Sequence, residues 1–175
     1  MNGDRRVILV SLAEQRLELR EGDQVLLSRP VSTARNGPGE RQGSEGTPRG
    51  WHRVRAKIGA GRPAGAVFVG RRFTGEVYSP ALAAAQPGRD WVLSRILWLC
   101  GEEPGRNRGG QVDSQRRYIY LHGCPDTAPL GVPLSHGCVR LRNADVIALF
   151  DAVTPGTRVW IGEGAMPDEP PGEGA

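Results

Sequence analysis

Between residues 122 and 140 the chain reads His122-Gly123 and then Ser135-His136-Gly137-Cys138-Val139-Arg140. Together these side chains can carry acyl transfer through a thioester. A cysteine attacks a carbonyl as its thiolate, and an unassisted thiol holds too little of that form at neutral pH, so an imidazole must take its proton. Two imidazoles are at hand. His136 lies two residues before Cys138 and is near it in any fold, whereas His122 is sixteen residues away and reaches it only if two strand ends sit side by side. His122 is the favoured base, because the end of an apolar run holds it in a partly buried place; His136 would line the site or orient substrate. Gly137 lets the backbone approach an oxyanion, so the amides of Gly137 and Cys138 can donate to a tetrahedral intermediate. In extended backbone Arg140 emerges on the same face as Cys138 and can grip a substrate carboxylate through two parallel hydrogen bonds.

Other readings use the same atoms. Arg140 and Arg142 could instead serve carboxylates or carbonyls near the following helix. His122, Cys124, His136 and Cys138 form two H-x-C pairs, and residues two apart on a strand share a face, so a tetrahedral zinc site is an alternative of another class. It leaves Ser135, Gly137 and Arg140 without a task, and no metal or cofactor is expected. Cys100, inside an apolar run, reads as a core residue. His52, after Trp51, reads as structural.

These residues need strands to place them. Val7 to Leu12, Leu17 to Arg20 and Val25 to Val31 are β-prone runs, with a turn at Glu21-Gly22-Asp23. Arg35 to Gly50 reads as a long exposed loop, of the kind that is often functional. Trp51 to Ile58 resumes alternation, and Val67 to Val69 and Glu76 to Tyr78 are short strands. Ala81 to Ala85 suits a helical turn. Trp91 to Leu99 fits a buried strand or a short helix and tilts toward strand. Gly101 to Gly110 reads as a second exposed loop, and Tyr118 to Leu121 is a strand that delivers His122. One main helix is expected after Cys138, capped by Asn143 and running to Phe150 with apolar spacing near 3.6. Thr157 to Ile161 closes the domain, residues 1–162, and the Gly, Pro and acidic stretch 163–175 reads as a disordered tail.

The 175 residues suit one domain, and 25 glycines with 14 prolines favour a mainly β architecture over a helical bundle. The formal charge is +4, but the arginines are scattered, so no clustered basic face argues for nucleic acid. No apolar stretch reaches the roughly 20 residues of a membrane span. Three cysteines without a disulfide-scaffold spacing fit a reducing compartment or a reactive thiol. Arg5-Arg6 precedes an apolar run too short for a signal peptide, so the expected location is cytoplasmic, or periplasmic if the true start lies upstream.

At these residues the chain resembles the catalytic domain of L,D-transpeptidases, the YkuD-like family. The likeness rests on His122-Gly123 and Ser135-His136-Gly137-Cys138-Val139-Arg140. Pro30-Val31-Ser32-Thr33, Thr47-Pro48-Arg49-Gly50, Asn143-Ala144-Asp145 and Gly156-Thr157 to Ile161 extend it, in order. The resemblance implies a β-sandwich with mixed sheets, Cys138 as nucleophile and His122 as base, the second nitrogen of His122 held by a backbone carbonyl. Arg140, Gly123 and Ser135 would bind substrate. It also implies peptidoglycan stem peptides as substrates, with D-alanine leaving. An amine from a second stem peptide would complete a cross-link; water would make the enzyme an L,D-carboxypeptidase. With no export signal in view, hydrolysis of soluble muropeptides is the expected outcome. Where the family often has threonine or serine, this chain has Cys124, a second thiol expected near Cys138 and able to join it on oxidation.

Overall fold

The computed structural model describes residues 5–173. Ten strands and two α-helices follow one another: β1 (Arg6–Ser11), β2 (Arg16–Glu21), β3 (Gln24–Pro30), β4 (Gly50–Ile58), β5 (Ala66–Val69), β6 (Arg72–Val77), α1 (Pro80–Ala85), β7 (Val92–Gly101), β8 (Tyr120–Cys124), β9 (Val139–Arg142), α2 (Asn143–Ala152) and β10 (Arg158–Gly162). The fold is mainly β, as expected. The sandwich is built from one continuous mixed sheet in the order β3-β2-β1-β10-β4-β7-β5-β6, from which β8 and β9 branch at β7. The β1–β10 and β8–β9 pairs are parallel.

β7 is the branch point because both its edges are used. One edge pairs with β4 and then β5, the other with β8. The ambiguous run from Trp91 to Leu99 is therefore strand from Val92 onward, and most of its residues are buried because strands pair along both of its edges. A bulge at Ser94, where φ is 70°, shifts the register between β7 and β8. Side chains from β1, β2, β4, β7, β8, β9, β10 and α2 meet in one core, including Ile8, Leu19, Leu97, Leu121, Leu141 and Leu149. Apolar burial of this extent is the main favourable term in folding.

Two sequence expectations need revision. Asn143 does not cap α2: the cap position is Arg142, without a side-chain hydrogen bond, and Asn143 is the first helical residue, buried and bonded elsewhere. The loop at 35–50 is exposed only in part, for Gly46, Thr47 and Pro48 are buried against the site. Residues 163–173, after β10, form no helix or strand and lie along the body. Ser11 Oγ donates to the Gly164 carbonyl at 2.7 Å, and the Arg20 guanidinium donates to the carbonyls of Pro167 and Asp168. Their carbonyls are met by side chains of the body, Ser11 and Arg20, contacts that composition does not reveal. No helix among the described residues is long and apolar enough to cross a membrane.

Candidate active site

The parallel pairing of β8 and β9 brings the two halves of the motif together. His122 stands opposite Arg140 and Leu121 opposite Val139, so Cys138, just before β9, falls beside the start of β8. Alternation then sorts the faces. Val139, Leu141 and Leu121 enter the core, while Cys138, Arg140 and His122 turn to the other side. There they line a cleft of about 240 Å³ with Asp90, Ser135 and His136.

Backbone groups hold the Cys138 thiol. The Tyr120 N–H donates to Cys138 Sγ at 3.3 Å, and the thiol donates to the Tyr118 carbonyl at 3.3 Å. Tyr118 turns that carbonyl inward from a φ of 57°, costly for a bulky residue and found most often where a site demands it. Burial pushes the Cys138 thiol up to about 11; the negative charge of Asp90 adds to this, and Arg140 and Arg117 oppose it.

His122 is buried, and its Nδ1 lies 2.7 Å from the Gly123 carbonyl. A carbonyl only accepts, so Nδ1 carries the hydrogen and Nε2 is left to take a proton. Burial lowers the pKa of the imidazole below the usual histidine value. Thiol and imidazole are thus both neutral at rest.

The loop from Ser135 to Cys138 is locked from within and from below. Ser135 Oγ donates to the Cys138 carbonyl at 2.6 Å and accepts from the Gly137 N–H at 3.2 Å. Beneath it, Thr47 Oγ1 donates to the Gly137 carbonyl at 2.9 Å, and the Ser135 N–H donates to the Thr33 carbonyl at 2.8 Å. Gly137 sits at a φ of 135°, where a side chain would be strained and where a Cβ would lie 3.2 Å from the Gly46 carbonyl. Ser135 therefore shapes the loop, its hydroxyl already committed. The Gly137 amide is likewise engaged, which leaves the Cys138 amide as the oxyanion donor of the expected pair. His136 is exposed at the cleft mouth.

Gly123 is absent from the cleft wall. It serves from behind, supplying the acceptor for His122 and a close approach: a Cβ there would lie 2.6 Å from both Asn143 Oδ1 and the Leu93 carbonyl.

Cys124 is not near Cys138. It pairs with Arg142, four ladder positions from Cys138, or roughly 13 Å at about 3.3 Å per residue. A disulfide needs Cα atoms within about 7 Å, so the two thiols cannot join without rebuilding the sheet. Cys124 is buried, donates to the Leu141 carbonyl at 3.4 Å, and is pushed up to about 11 by burial. The same separation removes the zinc alternative, and no cluster of three metal-ligating side chains occurs among the described residues.

Sequence reasoning missed several residues of the site. Arg117 donates to the carbonyls of Gly39, Glu40 and Gly46, pinning the long loop beside the thiol. Asp90, from the segment before β7, forms an ion pair with Arg140 at 3.3 Å. Tyr120 lends its amide to the thiol and its hydroxyl to Arg71, whose guanidinium lies over the Trp98 and Tyr118 rings.

The model of the YkuD L,D-transpeptidase catalytic domain matches residues 5–161. The chain belongs to this family. Among curated relatives, the putative L,D-transpeptidase YkuD of Bacillus subtilis is 38% identical over 61 residues, 32% of this chain and 37% of that protein. The probable L,D-transpeptidase YbiS of Escherichia coli is 49% identical over 43 residues, 25% of this chain and 14% of that protein. The matches thus span well under half of these relatives. L,D-transpeptidase 3 from Mycobacterium tuberculosis, solved with a faropenem-derived adduct, superposes with a TM-score of 0.56 at 18% identity, covering 91% of this chain and 60% of that one. An L,D-transpeptidase from Mycobacterium smegmatis gives 0.55 at 17%, covering 90% and 58%. At these identities the solved structures speak for the fold.

Proposed function

We propose that this L,D-transpeptidase-family enzyme acylates Cys138 with a peptidoglycan stem tetrapeptide, releases D-alanine, and lets water resolve the thioester. The observation that carries the reading is the meeting of Cys138, His122 and Arg140 on one face of the parallel β8–β9 pair. His122 Nε2 takes the thiol proton as Sγ attacks the carbonyl of the diamino acid's L-centre, and the amide of Cys138 faces the oxyanion. The same imidazole returns the proton to the leaving amine, so D-alanine departs neutral at nitrogen and a thioester remains. Water then gives its proton to His122 and attacks, and collapse restores the thiol. Arg140 holds a carboxylate of the donor, which lowers the entropic part of the barrier.

Hydrolysis is the proposed outcome: the cleft of about 240 Å³ beside Cys138 admits a peptide end and water. A soluble muropeptide is the matching substrate.

Incubation with a disaccharide tetrapeptide, with and without an acceptor amine, tests this by product mass. The expected products are tripeptide and D-alanine in both reactions, and none with Cys138→Ala. Cross-linked dimer as the main product would move the enzyme to transpeptidation. Turnover retained by Cys138→Ala would remove the thioester.

A further inference from the structure

Asp90 has no task in the mechanism, yet it stands in the cleft. It belongs to the segment between α1 and β7, and its carboxylate reaches Arg140 in the cleft that Cys138 and His122 also line. The Asp90 side chain is 57% exposed and the Arg140 side chain 19%. Among the described residues this is the one ion pair of Arg140, made through a single guanidinium nitrogen at 3.3 Å. A guanidinium offers five N–H donors in a fixed fork, so one contact uses little of its capacity. One carboxylate oxygen of Asp90 is similarly unused.

A single half-exposed contact of this kind contributes little and is readily exchanged. What can exchange it depends on charge. A ligand with only a carboxylate could take Arg140, but it would set two carboxylates side by side with Asp90. A ligand with only an ammonium would take Asp90 and strand Arg140. A ligand bearing both, one carbon apart, replaces the pair charge for charge and adds hydrogen bonds on each side.

We propose that Asp90 is a specificity-determining residue: the Asp90–Arg140 pair seats a free α-amino acid head group, ammonium on Asp90 and carboxylate on Arg140. This rests on the acyl-donor reading above and names the head group as the far end of the donor's diamino acid. The pair's opposite influences on the reacting groups agree with it. Asp90 raises and Arg140 lowers the pKa of both Cys138 and His122, so a zwitterion seated between them leaves that balance in place, and a lone carboxylate upsets it.

The test uses two donor tetrapeptides that differ only at the distal amine of the diamino acid, free or acetylated, with the distal carboxylate kept in both. D-alanine release gives kcat and KM, and intact mass reports acylation of Cys138. The wild-type enzyme is expected to favour the free amine at least tenfold in kcat/KM. Asp90→Asn should bring that ratio near one by raising KM for the free-amine donor alone, and Asp90→Glu should restore part of it. Equal losses on both donors would show that Asp90 merely braces Arg140 and would overturn the proposal, as would a wild-type ratio near one. Failure of both donors to acylate wild-type Cys138 would defeat the functional reading as well, whereas acylation with a flat ratio defeats only this inference.

Discussion

At the scale of single residues, the site rests in its uncharged form. The Cys138 thiol donates to the Tyr118 carbonyl and is pushed up to about 11, while burial depresses His122. Both shifts have the same cause: an apolar surrounding penalises whichever form is charged. A preformed thiolate–imidazolium pair would require the opposite shifts. Alkylation of Cys138 by iodoacetamide, followed by mass of its peptide, should therefore be slow at pH 7 and climb about tenfold per pH unit into the alkaline range. A plateau between pH 5 and 8 would reveal the ion pair and refute this account. His122→Ala should barely change that alkylation profile but lower turnover by ~10²–10⁴-fold, the usual worth of a general base. Its lowered pKa also fixes the sign of the acid limb: the imidazole accepts a proton only below its ordinary value of 6.5, so kcat/KM should hold to pH values below that before falling.

At the scale of elements, one buried side chain keeps β8 in register with its neighbours. Asn143 donates to the Cys124 carbonyl at 3.0 Å and to Asp126 at 3.2 Å, and accepts from Ser94 Oγ at 2.6 Å at the β7 bulge. Asn143→Ala would orphan the Ser94 hydroxyl and the Cys124 carbonyl, a loss of roughly 2–6 kcal/mol at ~1–3 for each buried unsatisfied group. Gly123→Ala should be at least as damaging to function. Its Cβ would overlap both Asn143 and the Leu93 carbonyl, so β8 must shift and take with it the carbonyl that orients His122. Denaturant unfolding and kcat measured on the two variants separate the effects: Asn143→Ala should lose mainly stability, Gly123→Ala activity as well. What the sequence disclosed here, and what it hid, follows from range. Tyr118 to Leu121 announced a strand ending at His122, and the Cys138 motif announced the other half of the site; the strand begins two residues later, at Tyr120, and carries His122 at its middle, because Tyr118 is taken by the turn that holds the thiol. The parallel register that joins them was hidden, because strands of four or five residues carry no mark of which partner they choose. Asn143 looked like a cap since an Asn before an apolar helical run usually is one; here its amide is spent across the sheet instead. Asp90, Thr47 and Arg117 each reach the site from distant positions in the chain through hydrogen bonds that no local pattern records.

At the scale of the whole molecule, the curled sheet encloses a histidine that the chemistry does not use. His52 on β4 is fully buried, with Nδ1 3.1 Å from the Gly50 carbonyl and Nε2 2.9 Å from Ser114 Oγ. It thereby ties the central strands to the segment that leads into Tyr118 and β8. Its structural role was legible from its place after Trp51 in an alternating run, but not the depth of its burial, which depends on strands far away in sequence. Burial drives its pKa to about 4 from an ordinary 6.5. Between these two values the unfolded chain binds a proton that the folded one refuses, so stability from this group is complete above pH 6.5, falls as pH drops toward 4, and levels off below. The full span amounts to about 3 kcal/mol, of which about 2 is lost by pH 5. Most carboxylates are still ionised at pH 5, so between pH 6.5 and 5 the buried histidines dominate, His122 adding a loss of the same sign to that of His52. Urea unfolding in that window should show wild-type stability falling by at least about 2 kcal/mol. His52→Gln keeps a neutral donor and acceptor near Gly50 and Ser114 but has no proton to gain. It should start less stable at pH 7.5, from imperfect packing, and decline by about 2 kcal/mol less than wild type between pH 6.5 and 5, the remainder belonging to His122. Parallel declines in the two proteins would mean that His52 is not the group through which acid loosens the fold.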